Sequence, residues 1–203
     1  MQLRHDTTLT SEQYVTEEGW RQASLKFCPR HPQGACGVCR HGTYARSVPA
    51  GMRVARWYCR DAQMTFSLLP DCLSARLVGS LDEVEQAVVA AESTGVEAAA
   101  QGLRVEAVEL PGALRWLRRR RRGVRAALLA LITVSPGRLG SVPEVRAIRS
   151  VLGTERALVA LRGIGADHLH ALPHPLGLCP PRPRRVKGEP PIQHETGPDP
   201  PRS

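Results

Sequence analysis

The stretch CPRHPQGACGVCRHGTYARSVPAGMRVARWYC, residues 28–59, decides how this chain folds. It contains four of the six cysteines and two interleaved histidines: Cys28, His31, Cys36, Cys39, His41 and Cys59. The N-terminus lacks the basic-then-apolar pattern of a secretion signal, so a metal explains clustered thiols better than disulfides do. Zinc binds four such ligands in a tetrahedron, and a spacing of two residues lets one tight turn present two ligands. Cys28-x-x-His31 and Cys36-x-x-Cys39 have this spacing, which predicts a structural zinc site.

The residues between the third and fourth cysteines predict a β-hairpin. Residues 41–46 and 53–58 are two short strand-like runs, and Pro49 and Gly51 mark a turn between them. Such a hairpin leads the chain away from the cysteine-rich loop and returns it to Cys59. This arrangement is typical of a zinc ribbon.

A zinc ribbon normally ends in a second C-x-x-C pair, but here Ala62 stands where its last cysteine belongs. We therefore expect the cysteine-rich loop to supply three ligands and the strand end one. The ligands are four of five candidates: Cys28, His31, Cys36, Cys39 and Cys59. His41 is a weaker candidate because it opens the hairpin strand. Two alternatives are a degenerate site that has lost its metal and a redox-active dithiol, although the flanking residues do not suit a redox motif.

Charge is strongly segregated along the 203 residues, whose formal net charge is +9. Residues 1–59 hold 8 basic and 4 acidic side chains, and residues 60–110 hold 3 and 9. Residues 111–162 hold 12 and 2, and residues 163–203 hold 5 and 4. The basic excess favours a polyanion as partner. The longest apolar stretch, residues 126–134 with Thr133 as its one polar residue, is too short for a membrane span.

The chain after Pro70 predicts helices. Ser80-Leu-Asp-Glu83 and Thr94-Gly-Val-Glu97 read as capping boxes, and Pro111 suits the first turn of a longer helix. Two further helices are expected to open at residues 141 and 154. Apolar residues of the long helix form one stripe, and arginines recur at helical spacing on another face: Arg115, Arg118, Arg119 and Arg122.

Two short helices followed by an arginine-rich one are typical of a helix-turn-helix module, whose third helix enters the major groove of DNA. Arginines there contact phosphates or guanine edges. We expect the four arginines of the long helix to contact DNA, with Arg53 and Arg56 of the hairpin adding phosphate contacts. The preceding acidic helices are expected to orient the module by repelling DNA.

Several motifs together resemble the N-terminal zinc ribbon and helix-turn-helix of bacterial insertion-sequence transposases. They are Cys28-Pro29, His41-Gly42-Thr43-Tyr44-x-Arg46, the strand from Arg53 to Cys59, and Thr65-Phe66-Ser67-x-x-Pro70. Leu114-Arg-Trp-Leu-Arg-Arg119 is similar to the third helix of the same region, so the resemblance covers about residues 27–135. Ala62 departs from the family pattern.

The resemblance implies DNA binding without catalysis. A complete transposase continues into a ribonuclease-H-like domain with three metal-binding carboxylates. Only six acidic residues follow residue 135, with no strand-rich stretch to hold them. We therefore expect no enzymatic activity and a role in binding element ends, as a repressor or accessory factor, or as a transposon remnant. The expected partners are double-stranded DNA, a catalytic transposase subunit and a second copy of the chain, in the cytoplasm and not at a membrane.

The predicted fold class is α+β, a small zinc-ribbon-like hairpin followed by a helix-turn-helix-type bundle. The expected divisions are a poorly ordered N-terminus (1–23), a ribbon (24–70), a helical domain (71–172) and a proline-rich disordered tail (173–203). An alternative function is a protein-interaction module that docks a partner through the ribbon and the leucine-rich part of the long helix. A hydrolytic zinc enzyme is disfavoured, because the site lacks an open position and a nearby glutamate base.

Overall fold

One four-stranded sheet forms the first half of the structure, a computed structural model that describes residues 1–103 and 110–180. Its strands in chain order are β1 (Gln2–His5), β2 (Val38–Ala45), β3 (Arg53–Cys59) and β4 (Met64–Pro70). Their order in the sheet is β1-β4-β3-β2, with β1 parallel to β4 and the other neighbours antiparallel. The predicted hairpin is thus β2–β3, and the T-F-S segment continues it as a third antiparallel strand.

Six α-helices in the described part of the chain complete the α+β fold, as predicted for the class. They are α1 (Ser11–Thr16), α2 (Leu81–Thr94), α3 (Val96–Gly102), α4 (Leu110–Val134), α5 (Val145–Leu152) and α6 (Ala157–Ile164). A single 3-10 turn, Ala166–His168, follows α6. Among the described residues, no helix combines the length and apolar character that crossing a bilayer requires.

The first 23 residues are folded, which differs from the predicted poor order. Strand β1 pairs with β4, and α1 begins at a capping box formed by Thr10 and Gln13. Tyr14 and Ala23 are fully buried in the main core. An edge strand is held mainly by backbone hydrogen bonds to the neighbouring strand, here β4. The polar composition of these residues therefore did not indicate a strand.

The ribbon and the helical part share one hydrophobic core, so the boundary predicted at residue 70 does not separate two cores. This core joins strand residues such as Val54 and Leu68 to Val124 and Leu128 of α4. The predicted tail also begins too early. Residues 173–178 are packed against the helices, with Leu176 and Leu178 buried, while the rest of that prediction, from residue 181, lies outside the described residues.

Helix starts depend on tertiary contacts as well as on local motifs. The capping box of Ser80 and Glu83 opens α2 as predicted. The second capping box is wrong: Gly95 is the N-cap of α3, and the Thr94 hydroxyl donates to the Ala90 carbonyl.

Helices α5 and α6 begin later than predicted, and their caps come from α2. Glu92 accepts hydrogen bonds from the backbone amides of Val145 and Arg146. The buried Glu85 accepts from the amides of Ala157 and Leu158. A carboxylate at a helix N-terminus satisfies free amides and stabilises the helix dipole. These contacts fix the last two helices on α2.

Candidate metal centre and basic helix face

Four of the five predicted ligands meet at one point of the sheet. The ligand atoms of Cys28, His31, Cys36 and Cys59 all lie within 4.8 Å of one another. The cysteine-rich loop supplies three of these residues, and the end of β3 supplies the fourth. Cys28 and Cys59 are buried, and Phe66 packs beside them.

The spacing of these atoms fits a tetrahedral ion. The Nδ1 atom of His31 lies 3.5 Å from the sulfur of Cys28 and 3.5 Å from that of Cys59. For a tetrahedron with zinc–sulfur bonds of about 2.3 Å and zinc–nitrogen bonds of about 2.0 Å, the sulfur–nitrogen edge is about 3.5 Å. Three sulfurs and one imidazole nitrogen also match the donor set of structural zinc sites.

The loop holds its ligands by a tight turn. The amide of His31 donates to the carbonyl of Cys28 at 3.0 Å, and the amide of Gly34 donates to the carbonyl of His31 at 3.0 Å. Gly34 has a φ of +84°, a conformation that favours glycine, and Ala35 follows with a positive φ. These turns reverse the chain within eight residues and bring Cys36 back towards Cys28.

Backbone amides take part where the last cysteine of a ribbon is missing. The amide of Ala62 donates to the sulfur of Cys59 at 3.4 Å. This hydrogen bond is the main cause that lowers the pKa of Cys59 and so favours its thiolate, whereas burial is the main cause that raises the pKa of Cys36. Asp61 accepts from the amide of Gly37 at 3.2 Å and ties the two halves of the site together.

Cys39 lies apart from the cluster because of the strand register. On β2, Val38 pairs with Cys59 and Cys39 pairs with Tyr58. Neighbouring residues of a strand point to opposite faces, so Cys39 faces away from the cluster and is exposed. His41 lies in the bulge of β2, where its ring is 5.5 Å from that of Tyr58. It is not a member of the cluster.

The predicted DNA-contacting arginines of α4 form one continuous exposed face. Arg115, Arg118, Arg119 and Arg122 are all exposed. Successive members are three, one and three residues apart, which places all four on one side of the helix. The opposite side is buried in the core through residues such as Leu117, Val124, Leu128 and Leu131.

This face has little negative charge to balance it. Arg118 pairs with Glu97 at 2.9 Å, and both side chains are mostly exposed. Within residues 1–103 and 110–180, no carboxylate lies within ion-pair distance of Arg115, Arg119 or Arg122.

The acidic block of residues 60–110 is instead used for internal contacts. Glu83 accepts from the amide of Ser80 in its own capping box, and the other described members each accept a hydrogen bond from outside the block: Asp61, Asp71, Asp82, Glu85, Glu92 and Glu97. Four of these carboxylates pair with arginines: Asp71, Asp82, Glu85 and Glu97. The expectation that the acidic helices orient the module by repelling DNA stays a prediction.

Arg120 is the functional candidate that periodicity missed. Unlike its neighbours it is buried, with its guanidinium carbon 4.6 Å from the centre of the Trp116 ring. A run of five arginines gives no sign of which one turns inward. The helical angle relative to Leu117 and Val124 is the one signal that places Arg120 on the buried side.

The two hairpin arginines lie on β3. Arg53 is exposed and donates to the Thr43 hydroxyl at 2.8 Å, whereas Arg56 is half-buried. Both belong to the sheet, a different element from the arginine face of α4.

Most of the leucine-rich part of α4 faces the chain's own core, although Leu129 and Val134 are exposed. Val124, Ala127, Leu128 and Leu131 are buried in the chain's own core. The alternative of an interaction module that docks through the ribbon and this part of α4 stays a prediction.

No protein-family model, curated protein or solved structure matches this chain. The resemblance to the transposase region therefore stays a prediction made from motifs. What the structure itself provides is a cluster of cysteines and a histidine suited to a metal, and a separate exposed arginine face.

Proposed function

We propose that this chain is a DNA-binding protein without catalytic activity, in which a structural zinc ion holds the ribbon and α4 contacts the phosphate backbone. The observation on which the proposal rests is the exposed arginine face of α4, which within residues 1–103 and 110–180 holds a single ion pair, Arg118 with Glu97. Such a local excess of positive charge attracts a polyanion.

The helical arrangement supports a helix-turn-helix type of contact. Helices α2 and α3 pack on each other and on α4, so two shorter helices support a long one whose far side is exposed. An α-helix fits the major groove of B-DNA, and arginines spaced along one side reach phosphates of the groove walls. The relation to transposase N-terminal regions is part of this proposal, with binding of element ends or a repressor, accessory or remnant role.

Zinc is the metal that we propose for the cluster. Three thiolates and one imidazole in a tetrahedral arrangement are typical of zinc, and four protein ligands leave no open position for a substrate. Bound zinc would fix the loop of residues 28–36 onto the end of β3. We further propose a cytoplasmic location and two protein partners, a catalytic transposase subunit and a second copy of the chain.

The direct test is binding of a fluorescein-labelled DNA duplex of arbitrary sequence, followed by fluorescence anisotropy. One variant replaces the four face arginines with glutamine: Arg115, Arg118, Arg119 and Arg122. A matched control changes the same number of exposed arginines elsewhere: Arg21, Arg60, Arg138 and Arg146. Both variants lose the same net charge.

We expect the face variant to bind at least about 100-fold more weakly at low salt, because each lost phosphate contact removes counterion release. The control variant should retain most of the affinity. Equal losses in the two variants would show that only net charge matters and would reject the α4 face as the binding surface. Circular dichroism of both variants checks that they fold.

A further inference from the structure

A groove of about 840 Å³ lies along the arginine face of α4, with all four face arginines in its lining, and the segment that contains Pro173 and His174 lines it as well. Its volume is in the range of sites that hold small molecules. The residues that define its chemistry are Trp116, Arg119, Arg120, Arg122, Gly123 and His174. Gly123 makes the close approach possible, since a Cβ atom there would lie 3.0 Å from the ring and backbone of His174.

Arg120 is a buried cation without a counter-charge in this groove. Its side chain is only 7% exposed, and its one hydrogen bond is a long contact of 3.4 Å to the carbonyl of Val78. Its Nε has no hydrogen-bond partner among the described residues, and none of their carboxylates forms an ion pair with it. Arg162, which is fully buried and whose Nε also lacks a partner among the described residues, instead donates to three backbone carbonyls through its other two nitrogens.

Together with burial, the positive electrostatic potential created by the arginines of the groove lowers the pKa values of Arg120 and His174. Burial, and then the charge of Arg119, lower the pKa of Arg120. The pKa of His174 is lowered by burial and then by three arginines, of which Arg119 and Arg120 line the groove. A buried, imperfectly paired cation is costly, and an anion placed beside it would remove much of that cost. The groove therefore favours an anionic group.

Trp116 indicates that the ligand also has a flat ring that can stack. Its indole ring lines the same groove and is half-buried, with the guanidinium of Arg120 over one face, so a base would stack on the other face. An aromatic side chain beside arginines is the combination that holds unstacked bases in proteins that bind single strands, because the base stacks on the ring while the phosphate contacts the cation.

We propose that this groove receives an unstacked nucleotide, with its base against Trp116 and its phosphate beside Arg119 and Arg120. The inference rests on the proposed DNA binding by α4 and goes beyond it, since a duplex has no unstacked base to offer. The chain would then prefer DNA that has a single-stranded end or a displaced strand next to the duplex. The same chemistry exists in a free nucleotide, so the test separates the two sources.

The test compares three probes on the full-length protein: a twelve-nucleotide oligo(dT) strand, a duplex of equal length, and dTMP as a competitor. The variants are Trp116→Ala, Trp116→Phe and, as a control, Trp57→Phe in the sheet. We expect Trp116→Ala to weaken single-strand binding by about tenfold, because stacking on one base contributes that much. Duplex binding should change by less than about twofold, and Trp116→Phe should retain most single-strand binding because it keeps an aromatic ring.

Equal loss of duplex and single-strand binding in Trp116→Ala, with Trp116→Phe no better, would overturn the inference. So would a wild-type protein that binds the duplex but not the strand, an outcome that leaves the proposed function standing. A wild-type protein that binds neither probe rejects both proposals. Competition by dTMP as strong as that of the strand, at equal nucleotide concentration, assigns the groove to a free nucleotide and overturns the strand assignment.

Discussion

Replacing single cysteines tests the metal site and the strand register together. Cys59→Ser removes a ligand of the cluster. Cys39→Ser changes a cysteine of β2 that points to the other face of the same sheet. Apparent binding energies of structural zinc are about 10–16 kcal/mol, so an equal share for each of four ligands is roughly 3 kcal/mol. By that estimate Cys59→Ser weakens zinc binding by on the order of 100-fold or more.

The assay is zinc content per protein after dialysis, together with competition against a chromogenic chelator. Wild-type protein and Cys39→Ser should hold one zinc ion each with similar affinity, whereas Cys59→Ser should lose most of its zinc. Loss of zinc in Cys39→Ser equal to that in Cys59→Ser would refute the register argument. Wild-type protein without zinc-binding capacity would refute the site itself.

Two further predictions concern stability. Glu85→Gln should lower the free energy of unfolding by about 3 kcal/mol, because it removes the buried carboxylate that pairs with Arg149 and weakens the cap of α6. Glu97 is exposed, so Glu97→Gln should change the free energy of unfolding by less than about 1 kcal/mol. Urea unfolding measures both variants, and equal effects would contradict the assigned role of Glu85. The pKa values of His5, His170 and His174 are lowered, mainly by burial. The unfolded chain therefore binds more protons below the ordinary histidine pKa of about 6.5, and stability should fall as the pH is lowered through that value. A thermal midpoint that rises from pH 7.5 to pH 5.5 would contradict this sign, and His5→Gln should flatten the profile.

Local signals in the sequence predicted local features correctly. The alternation and turn residues between residues 41 and 58 gave the β2–β3 hairpin, and Ser80 with Glu83 gave the start of α2. The missing cysteine at Ala62 indicated that the loop supplies three ligands, and the structure brings three loop residues to Cys59. In each case the relevant residues are close in sequence and the physical rule is short-ranged.

Features that depend on distant contacts were missed. Strand β1 becomes ordered only because β4 offers an edge more than sixty residues away. The starts of α5 and α6 depend on Glu92 and Glu85, which α2 presents from across the core. The inward turn of Arg120 depends on how α4 is seated against the rest of the chain. Of these features only the inward turn of Arg120 has a sequence signal, its helical angle relative to Leu117 and Val124.

The salt dependence of duplex binding tests the central claim most directly. If the four face arginines each neutralise one phosphate, the logarithm of the association constant should fall against the logarithm of salt concentration with a slope of about −3.6. Affinity would then drop by on the order of 100-fold between 50 and 200 mM salt. In the four-arginine face variant the slope should approach zero, while the matched control keeps it. Binding by the wild-type protein that is flat over this range, or a face variant with an unchanged slope, would contradict the account.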